Sequence, residues 1–313
     1  MSNTPHLGPL PQRITVDADQ VRRLVADQFP QWAGLSVQPV ANGGWDNWTF
    51  HLGPRMSVRL PSASEYALAV DKEHRWLPAL APRLPLPIPS PLAKGEPGAG
   101  YPYSWSVYPW LDGESACADR IVDPVRFALD LAGFLAALQR VDTTDGPGPG
   151  QHNWFRGGTL RTYEVQAQRA LTALDGHVDI DLAREIWQSA LDARWDGVQS
   201  WFHGDVAQGN LLLIDGELAA VIDFGTCGVG DPACDLAIAW TLLTADGRQA
   251  FRERLSVDEA TWARGRGWAL WKTLATCAST LSDADEPAAS ALHVLGEIFS
   301  EYTASAAAIK PEP

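Results

Sequence analysis

The sequence predicts an α+β protein with two lobes, a small sheet-rich lobe followed by a larger and mostly helical lobe. Between residues 35 and 110, short β-branched or aromatic segments alternate with turns that contain glycine or proline. From about residue 122 onward, apolar residues recur at helical spacing. The chain has 313 residues, which is long enough for two such lobes.

The amino-terminal lobe is predicted to open with an amphipathic helix over residues 17–29, with Asp17 as its N-cap. An antiparallel meander should follow, because three short apolar segments are joined by glycine-containing turns. A second helix comes next, and Pro78 should bend or end it. A rigid proline-rich connector and one further strand complete the lobe. The predicted strands cover 35–40, 47–52, 56–60 and 103–110, the second helix 65–81, and the connector 82–97.

The larger lobe is predicted to contain three helices before a motif-rich segment and three helices after it. A run of glycine and proline at 142–150 is expected to form a flexible loop. The predicted helices cover 123–141, 159–174, 181–195, 233–243, 258–279 and 289–305.

Negative charge is concentrated in the second part of the chain. The formal net charge is −14, and residues 116–313 carry fifteen basic and twenty-eight acidic side chains, against nine and ten before them. Such a field repels nucleic acid and anionic membranes and attracts a cationic substrate. It is equally the kind of charge that keeps a protein soluble, so both interpretations stay open. We expect no nucleic-acid or membrane partner, and no feature indicates an oligomeric state.

The sequence predicts a cytoplasmic protein with reduced thiols. The first residues lack a basic segment followed by an apolar core, and no stretch approaches the roughly 18 to 20 apolar residues that cross a bilayer. The four cysteines form no C-x-x-C pair, which makes structural zinc an unfavourable assignment.

The segment WFHGDVAQGNLLLIDGELAAVIDFG, residues 201–225, carries the residue types of a phosphoryl-transfer site. Asp205 is suited to hold and deprotonate an attacking hydroxyl group. Asn210 and Asp223 offer the amide and carboxylate oxygens that bind Mg²⁺. The segment therefore predicts one catalytic residue and two metal ligands.

A short hairpin separates these two loops. Residues 211–214 and 218–222 read as apolar strands, and Asp215 and Gly216 between them form the Asp-Gly pair that is favoured in two-residue hairpin turns. The hairpin is expected to set the distance between the loops.

Three linked motifs, HGDVAQGN, VIDFG and GDPACDLA (residues 230–237), resemble the aminoglycoside phosphotransferase family, which is related to choline kinases, macrolide phosphotransferases and protein kinases. The resemblance implies a two-lobe, protein-kinase-like fold, with a nucleotide-binding lobe at 1–109, a hinge at 110–115 and a catalytic and substrate-binding lobe at 116–313. It also implies ATP or GTP as co-substrate, Mg²⁺ as cofactor and a small molecule with a hydroxyl group as acceptor.

The resemblance assigns phosphate-binding roles in the first lobe. Arg59 occupies the strand position where kinase-like folds usually place a lysine, and it would neutralise the α- and β-phosphates while Glu73 holds it. Gly43 and Gly44 would let the loop at 41–47 approach the phosphates, with an ordinary hairpin turn as the alternative.

The resemblance also assigns the hinge and the support of the catalytic loop. In residues 106–114 the carbonyl of Pro109 would accept a hydrogen bond from the adenine amino group, and the amide of Leu111 would donate one to the ring. His203 is expected to be a structural histidine of the catalytic loop, and Asp235 would brace that loop.

Three alternatives remain. The same chemistry could act on choline, a methylthio-sugar, a macrolide or a protein, although a protein is disfavoured because no A-P-E segment follows Asp223. A metal-dependent phosphoesterase built from His203, Asp205 and Asp223 lacks a second nearby histidine. A catalytically silent nucleotide-binding module would have no need for the complete set of Asp205, Asn210 and Asp223.

Overall fold

The computed structural model describes residues 7–8, 10–41, 43–284 and 287–309. The strands of the amino-terminal lobe are β1 (Val37–Pro39), β2 (Asn47–Leu52), β3 (Met56–Pro61), β4 (Ala93–Gly95) and β5 (Trp105–Pro109). They form one antiparallel sheet in the order β1-β2-β3-β5-β4. The predicted meander of the first three strands is confirmed.

Two helices belong to this lobe, α1 (Ala18–Gln28) and α2 (Ser64–Leu80). The predicted cap of α1 is present, because the side chain of Asp17 accepts a hydrogen bond of 2.7 Å from the amide of Gln20. Helix α2 continues through Pro78 and ends two residues later, where a short 3-10 turn follows.

Strand β4 lies inside the segment that was predicted to be a connector without secondary structure. It pairs with β5, and the amide of Leu92 donates to the carbonyl of Val107 at 2.8 Å. A Cβ atom on Gly95 would lie 2.0 Å from the Trp105 ring, so only glycine lets the two strands approach this closely. The prediction of a plain connector was wrong here because the three-residue strand has no alternating pattern of its own.

The larger lobe combines helices with short strands. Its helices are α3 (Pro124–Gln139), α4 (Glu164–Ala173), α5 (Ile180–Asp192), α6 (Ile238–Thr241), α7 (Ala245–Leu255), α8 (Glu259–Ala284) and α9 (Ala289–Ile309), and its strands are β6 (Glu114–Ser115), β7 (Ser200–Phe202), β8 (Leu211–Ile214), β9 (Glu217–Val221) and β10 (Gly228–Gly230). Strands β6, β8 and β9 form one small sheet, and β7 pairs with β10.

Several of these elements differ from the predicted ones. The pair of β7 and β10 and the helix α7 were not predicted, and the helix predicted at 233–243 starts as a 3-10 segment, Pro232–Ala237. Helix α7 escaped prediction because its buried residues, Gly247, Arg248 and Phe251, do not form an apolar stripe.

The glycine- and proline-rich loop after α3 is fastened to β7 and β10. The amide of Val229 donates to the carbonyl of Pro147 at 2.8 Å, and the indole of Trp201 donates to the carbonyl of Asp142 at 2.9 Å. These contacts hold in place a loop that was expected to be flexible.

The two lobes share apolar packing. One hydrophobic cluster joins α1 to the five-stranded sheet, while a larger cluster fills the second lobe. Leu77 and Leu80 of α2 and Tyr108 of β5 belong to the larger cluster. The end of α2 is therefore packed into the core of the second lobe, which places this helix at the junction.

All four cysteines are free thiols. Among the residues that the structure describes, no helix combines the length and the apolar character needed to span a membrane.

Candidate active site

The hairpin of β8 and β9 forms as predicted. Both turn residues, Asp215 and Gly216, have positive φ angles, 52° and 81°, as a two-residue turn with this sequence requires. The amide of Ile222 donates to the carbonyl of Asn210 at 2.8 Å. Asn210 and Asp223 therefore lie at the same end of the hairpin.

Asn210 is in direct contact with Asp205. Its amide nitrogen donates to the Asp205 main-chain carbonyl at 2.9 Å and to Oδ2 of the carboxylate at 3.3 Å. Across the described ranges no hydrogen bond reaches Oδ1 of Asn210. The atom of Asn210 that is suited to a metal ion is therefore free.

His203 links the two loops through both of its ring nitrogens. Nε2 lies 3.0 Å from the carbonyl of Ile222 and must donate to it, while Nδ1 accepts from the amide of Asp205 at 3.2 Å. The ring is fully buried and packs edge-on against Phe224. This geometry describes a histidine that fixes the spacing of the loops, which agrees with a structural role.

Asp235 accepts hydrogen bonds from two consecutive main-chain amides of the loop that carries Asp205. Oδ2 accepts from His203 at 2.8 Å, and Oδ1 accepts from Gly204 at 2.7 Å. Burial raises the pKa of Asp235, against the lowering effect of His203 and these amide donors. Gly204 has a φ of 86°, and a Cβ atom there would lie 2.6 Å from the carbonyl oxygen of Thr226. The loop conformation thus depends on Gly204 as well as on Asp235.

Lys272 on α8 donates a hydrogen bond to Oδ1 of Asp205. Burial alone would raise the pKa of Asp205, but the charge and hydrogen bond of Lys272, together with the charges of Arg156 and His203, outweigh burial and lower the pKa to about 2. Asp205 is therefore ionised at neutral pH. The sequence analysis missed Lys272, although one signal was present, since it is the only charged residue between Arg266 and Asp283.

Arg156 supports the same loop through a hydrogen bond to its main chain, and the sequence analysis did not predict this residue either. Its Nε donates to the carbonyl of Gly204 at 3.1 Å. The guanidinium carbon lies 4.8 to 5.1 Å from the ring centroids of Tyr163, Trp268 and Trp271. This aromatic packing keeps a buried cation close to the catalytic loop.

Arg59 joins the two lobes at Asp223. Its Nη2 donates to Oδ1 of Asp223 at 2.8 Å. Within the described part of the chain, Arg59 does not form the predicted ion pair with Glu73. The carboxylate of Glu73 instead accepts a hydrogen bond from the hydroxyl of Tyr108, which lies on β5 beside the strand of Arg59. Burial raises the pKa of Glu73, while the charge of Arg59 acts to lower it. Glu73 therefore influences Arg59 through its charge and not through a hydrogen bond.

The loop between β1 and β2 carries Gly43 and Gly44. Both glycines are exposed, and neither has a positive φ. A Cβ atom on Gly44 would meet nothing within 4 Å. Packing in the structure therefore does not require glycine at either position, and the predicted approach to phosphates stays a prediction. Asn42 lies outside the described residues.

Asp46 in the same loop faces the candidate site and was not predicted. Burial raises its pKa to about 7, with further increases from the charges of Asp223 and Asp205 and an opposing effect of Arg59. A carboxyl group with a raised pKa thus lies within electrostatic range of the two aspartates of the larger lobe.

The predicted hinge follows β5. The amide of Trp110 donates to the carbonyl of Arg55 at 2.8 Å, so the neighbouring Met56 and Pro109 form a non-hydrogen-bonded pair of the ladder. The Pro109 carbonyl therefore points away from β3. In the described structure the Leu111 amide has no hydrogen-bond acceptor. Both groups are accordingly available for an external partner.

The residues at the end of the hairpin suit a hard divalent cation. Within the described ranges there is no group of three or more His, Cys, Asp or Glu side chains that could hold a metal alone. Mg²⁺ usually takes only one or two protein ligands and completes its coordination with phosphate oxygens and water. The amide oxygen of Asn210 and the carboxylate of Asp223 fit that requirement.

The comparisons with known proteins agree with this geometry. A model of the phosphotransferase enzyme family matches residues 36–268. The GDP complex of wild-type aminoglycoside 2'-phosphotransferase-IIIa has a TM-score of 0.66 at 17% identity, covering 93% of this chain and 100% of that chain. No curated protein sequence matches the chain.

Two further structures share the fold. A ternary complex of streptomycin, ATP and APH(2")-IIa has a TM-score of 0.57 at 15% identity, covering 92% of this chain and 97% of that chain. The macrolide 2'-phosphotransferase MphH from Brachybacterium faecium has a TM-score of 0.56 at 22% identity, covering 95% of this chain and 99% of that chain. At these identities the likeness establishes the fold.

Proposed function

Because this chain belongs to the phosphotransferase enzyme family, we propose that it transfers the γ-phosphoryl group of ATP or GTP to a hydroxyl group of a small molecule. The observation that carries the proposal is the contact between Asp205 and Asn210 at the end of a hairpin that also positions Asp223. This contact supports the proposal, because phosphoryl transfer needs a carboxylate for the acceptor beside oxygen ligands for a metal ion.

Asp205 orients the acceptor hydroxyl and takes its proton late in the transfer. The Lys272 ammonium keeps Asp205 ionised, and an ionised carboxylate is the form that can accept this proton. His203 and Asp235 hold the main chain from the amide of His203 to the amide of Asp205, so that the carboxylate does not need to be ordered during the reaction.

The Asn210 amide oxygen and the Asp223 carboxylate would hold Mg²⁺. A bound Mg²⁺ supplies charge neutralisation for the phosphate oxygens. Arg59 supplies a further positive charge for the α- and β-phosphates, and its present partner is Asp223. Arginine retains its charge at any physiological pH and can bind phosphate oxygens in a forked geometry.

The nucleotide is proposed to lie between a first lobe, residues 1–109, and a catalytic lobe, residues 116–313, with 110–115 as the hinge. The Pro109 carbonyl and the Leu111 amide would bind the adenine edge, and Gly43 and Gly44 would let the loop cover the phosphates. A cytoplasmic site of action belongs to the same proposal, because the reaction needs a supply of nucleoside triphosphate.

The acceptor is proposed to be a small molecule that carries a hydroxyl group. Aminoglycosides, macrolides, choline and methylthio-sugars are the classes to compare. The acidic second lobe favours a cationic member of this group, since a net negative field raises the local concentration of cations.

The test is Mg²⁺-dependent consumption of ATP and of GTP, measured with each of these acceptor classes. We expect one class to stimulate consumption, and we expect Asp205→Ala to lower turnover by about three orders of magnitude while nucleotide affinity stays nearly unchanged. Asp215→Asn is the matched control, because it removes a carboxylate from the exposed turn of the same hairpin.

Each outcome separates one part of the proposal. Equal turnover of the Asp205→Ala variant would remove Asp205 from its catalytic role. Nucleotide binding without stimulation by any class would retain the fold and redirect the search for an acceptor. A chain that binds neither nucleotide would contradict the phosphotransferase assignment.

A further inference from the structure

The carboxylate of Asp205 is held from two sides. Oδ1 accepts a hydrogen bond from Lys272, and Oδ2 accepts one of 3.3 Å from Asn210. Two donors on different oxygens restrict rotation of the carboxylate about its Cβ–Cγ bond. The lone pairs that neither donor uses therefore point in a defined direction.

Lys272 reaches Asp205 from a well-anchored helix. On α8, Trp268 and Leu274 are buried in the core of the larger lobe, and Trp271 stacks on Arg156. Arg156 in turn donates to the carbonyl of Gly204, the residue before Asp205. Helix α8 thus supports the catalytic loop at two consecutive residues, through the stacked Arg156 at one and Lys272 at the other.

The Lys272 side chain is 27% exposed, so the ammonium is not sealed in the core. Lysine has three donors, and Asp205 takes one of them. The ammonium therefore stands at the edge of the site, beside a carboxylate whose orientation matters for the proposed chemistry.

We propose that Lys272 is a positioning residue of the phosphoryl transfer, which orients the Asp205 carboxylate toward the acceptor hydroxyl. This inference rests on the proposed function of Asp205. The competing explanation is an ion pair that only stabilises the fold, and ion pairs that are open to solvent usually stabilise a fold only slightly. The two explanations differ in kcat, because a misplaced catalytic group slows the reaction without weakening nucleotide binding.

The test compares Lys272→Met, Lys272→Arg and the control Lys94→Met. Lys94 forms an ion pair with Asp71 on the other lobe, and its side chain is 32% exposed, close to the value for Lys272. For each variant the thermal midpoint, the affinity for ATP with Mg²⁺, and the kcat and KM for Mg²⁺-dependent ADP release are measured. ADP release is followed with water as acceptor and with any stimulating member of the acceptor panel.

For Lys272→Met we expect kcat to fall by about 100-fold while the KM for ATP changes by less than about threefold. The kcat of Lys272→Arg should be at least about tenfold higher than that of Lys272→Met. Lys94→Met should keep the kcat of the natural chain. A Lys272→Met variant with unchanged kcat would overturn the inference and leave the proposed function intact. A fall in kcat that is accompanied by loss of ATP binding and of the folded state would also overturn the inference. If the natural chain itself binds no nucleotide, the proposed function fails and this inference fails with it.

Discussion

The ammonium of Lys72 lies 2.6 Å from the carbonyl oxygen of Gly225 and donates a hydrogen bond to it. A second bond of 3.0 Å reaches the carbonyl of Cys227. Lys72 is only 8% exposed, and burial lowers its pKa. It lies on α2, whereas Gly225 follows Asp223 in the larger lobe. This contact therefore ties the helix of one lobe to the loop that carries a proposed metal ligand of the other.

Lys72→Met should lower the free energy of unfolding by about 1 to 3 kcal/mol, because the carbonyls of Gly225 and Cys227 lose this donor. The expected decrease in the thermal midpoint is about 2 to 4 °C for each kcal/mol. Circular dichroism during heating measures it, with Lys94→Met as the control for loss of a lysine at the surface. Identical midpoints for the two variants would show that the buried contact adds no stability.

Asp235→Asn should weaken the catalytic loop while preserving the volume of the side chain. Asparagine has one acceptor oxygen, so its NH₂ group would face the amide of either His203 or Gly204. We expect a loss of about 1 to 3 kcal/mol of stability and at least a tenfold lower kcat for ADP release. Asp215→Asn controls for loss of charge on the nearby hairpin, and full activity of Asp235→Asn with an unchanged midpoint would contradict the bracing role.

Asp223→Asn should abolish the contribution of Mg²⁺ to nucleotide binding. Asparagine is chosen because Asp223 has a φ of 65°, and asparagine tolerates this left-handed conformation better than alanine does. Calorimetry of ATP binding with Mg²⁺ and with EDTA measures the effect. In the natural chain we expect Mg²⁺ to raise the affinity by about tenfold or more, and in the variant the two values should coincide. If Mg²⁺ raises the ATP affinity of the variant as much as that of the natural chain, Asp223 is not a metal ligand.

Asp46→Asn should make the free energy of unfolding less dependent on pH. Burial raises the folded-state pKa of Asp46 to about 7 from its ordinary value of 3.8. Between those values the folded chain retains a proton that the unfolded chain has released, so stability falls as pH rises through this window. The variant lacks this loss, so its midpoint relative to that of the natural chain should be higher at pH 8 than at pH 4.5, by about 2 to 4 °C for each kcal/mol of stability that the natural chain loses. Scans at pH 4.5 and pH 8 test this, since an equal difference at both values would exclude titration of Asp46 as the cause.

Local sequence signals predicted much of the fold. The cap of α1 at Asp17 and the hairpin turn at Asp215 and Gly216 depend on partners only a few residues away, and both formed as predicted. The α+β class and the family resemblance are confirmed by the structure and the family match. Strands β4, β7 and β10 escaped prediction because each has three residues, too few to show an alternating pattern.

By itself the sequence determined that the candidate site residues Asp205, Asn210 and Asp223 lie on the two loops that flank one hairpin, because their spacing along the chain sets that arrangement. Only the tertiary structure decided the ion-pair partners of the site residues. In the structure Asp205 forms an ion pair with Lys272, which is 67 residues away, and Asp223 forms one with Arg59, which is 164 residues away. A partly buried charge pairs with whichever opposite charge or dipole the packing brings within hydrogen-bond distance, and no local pattern in the chain encodes that choice.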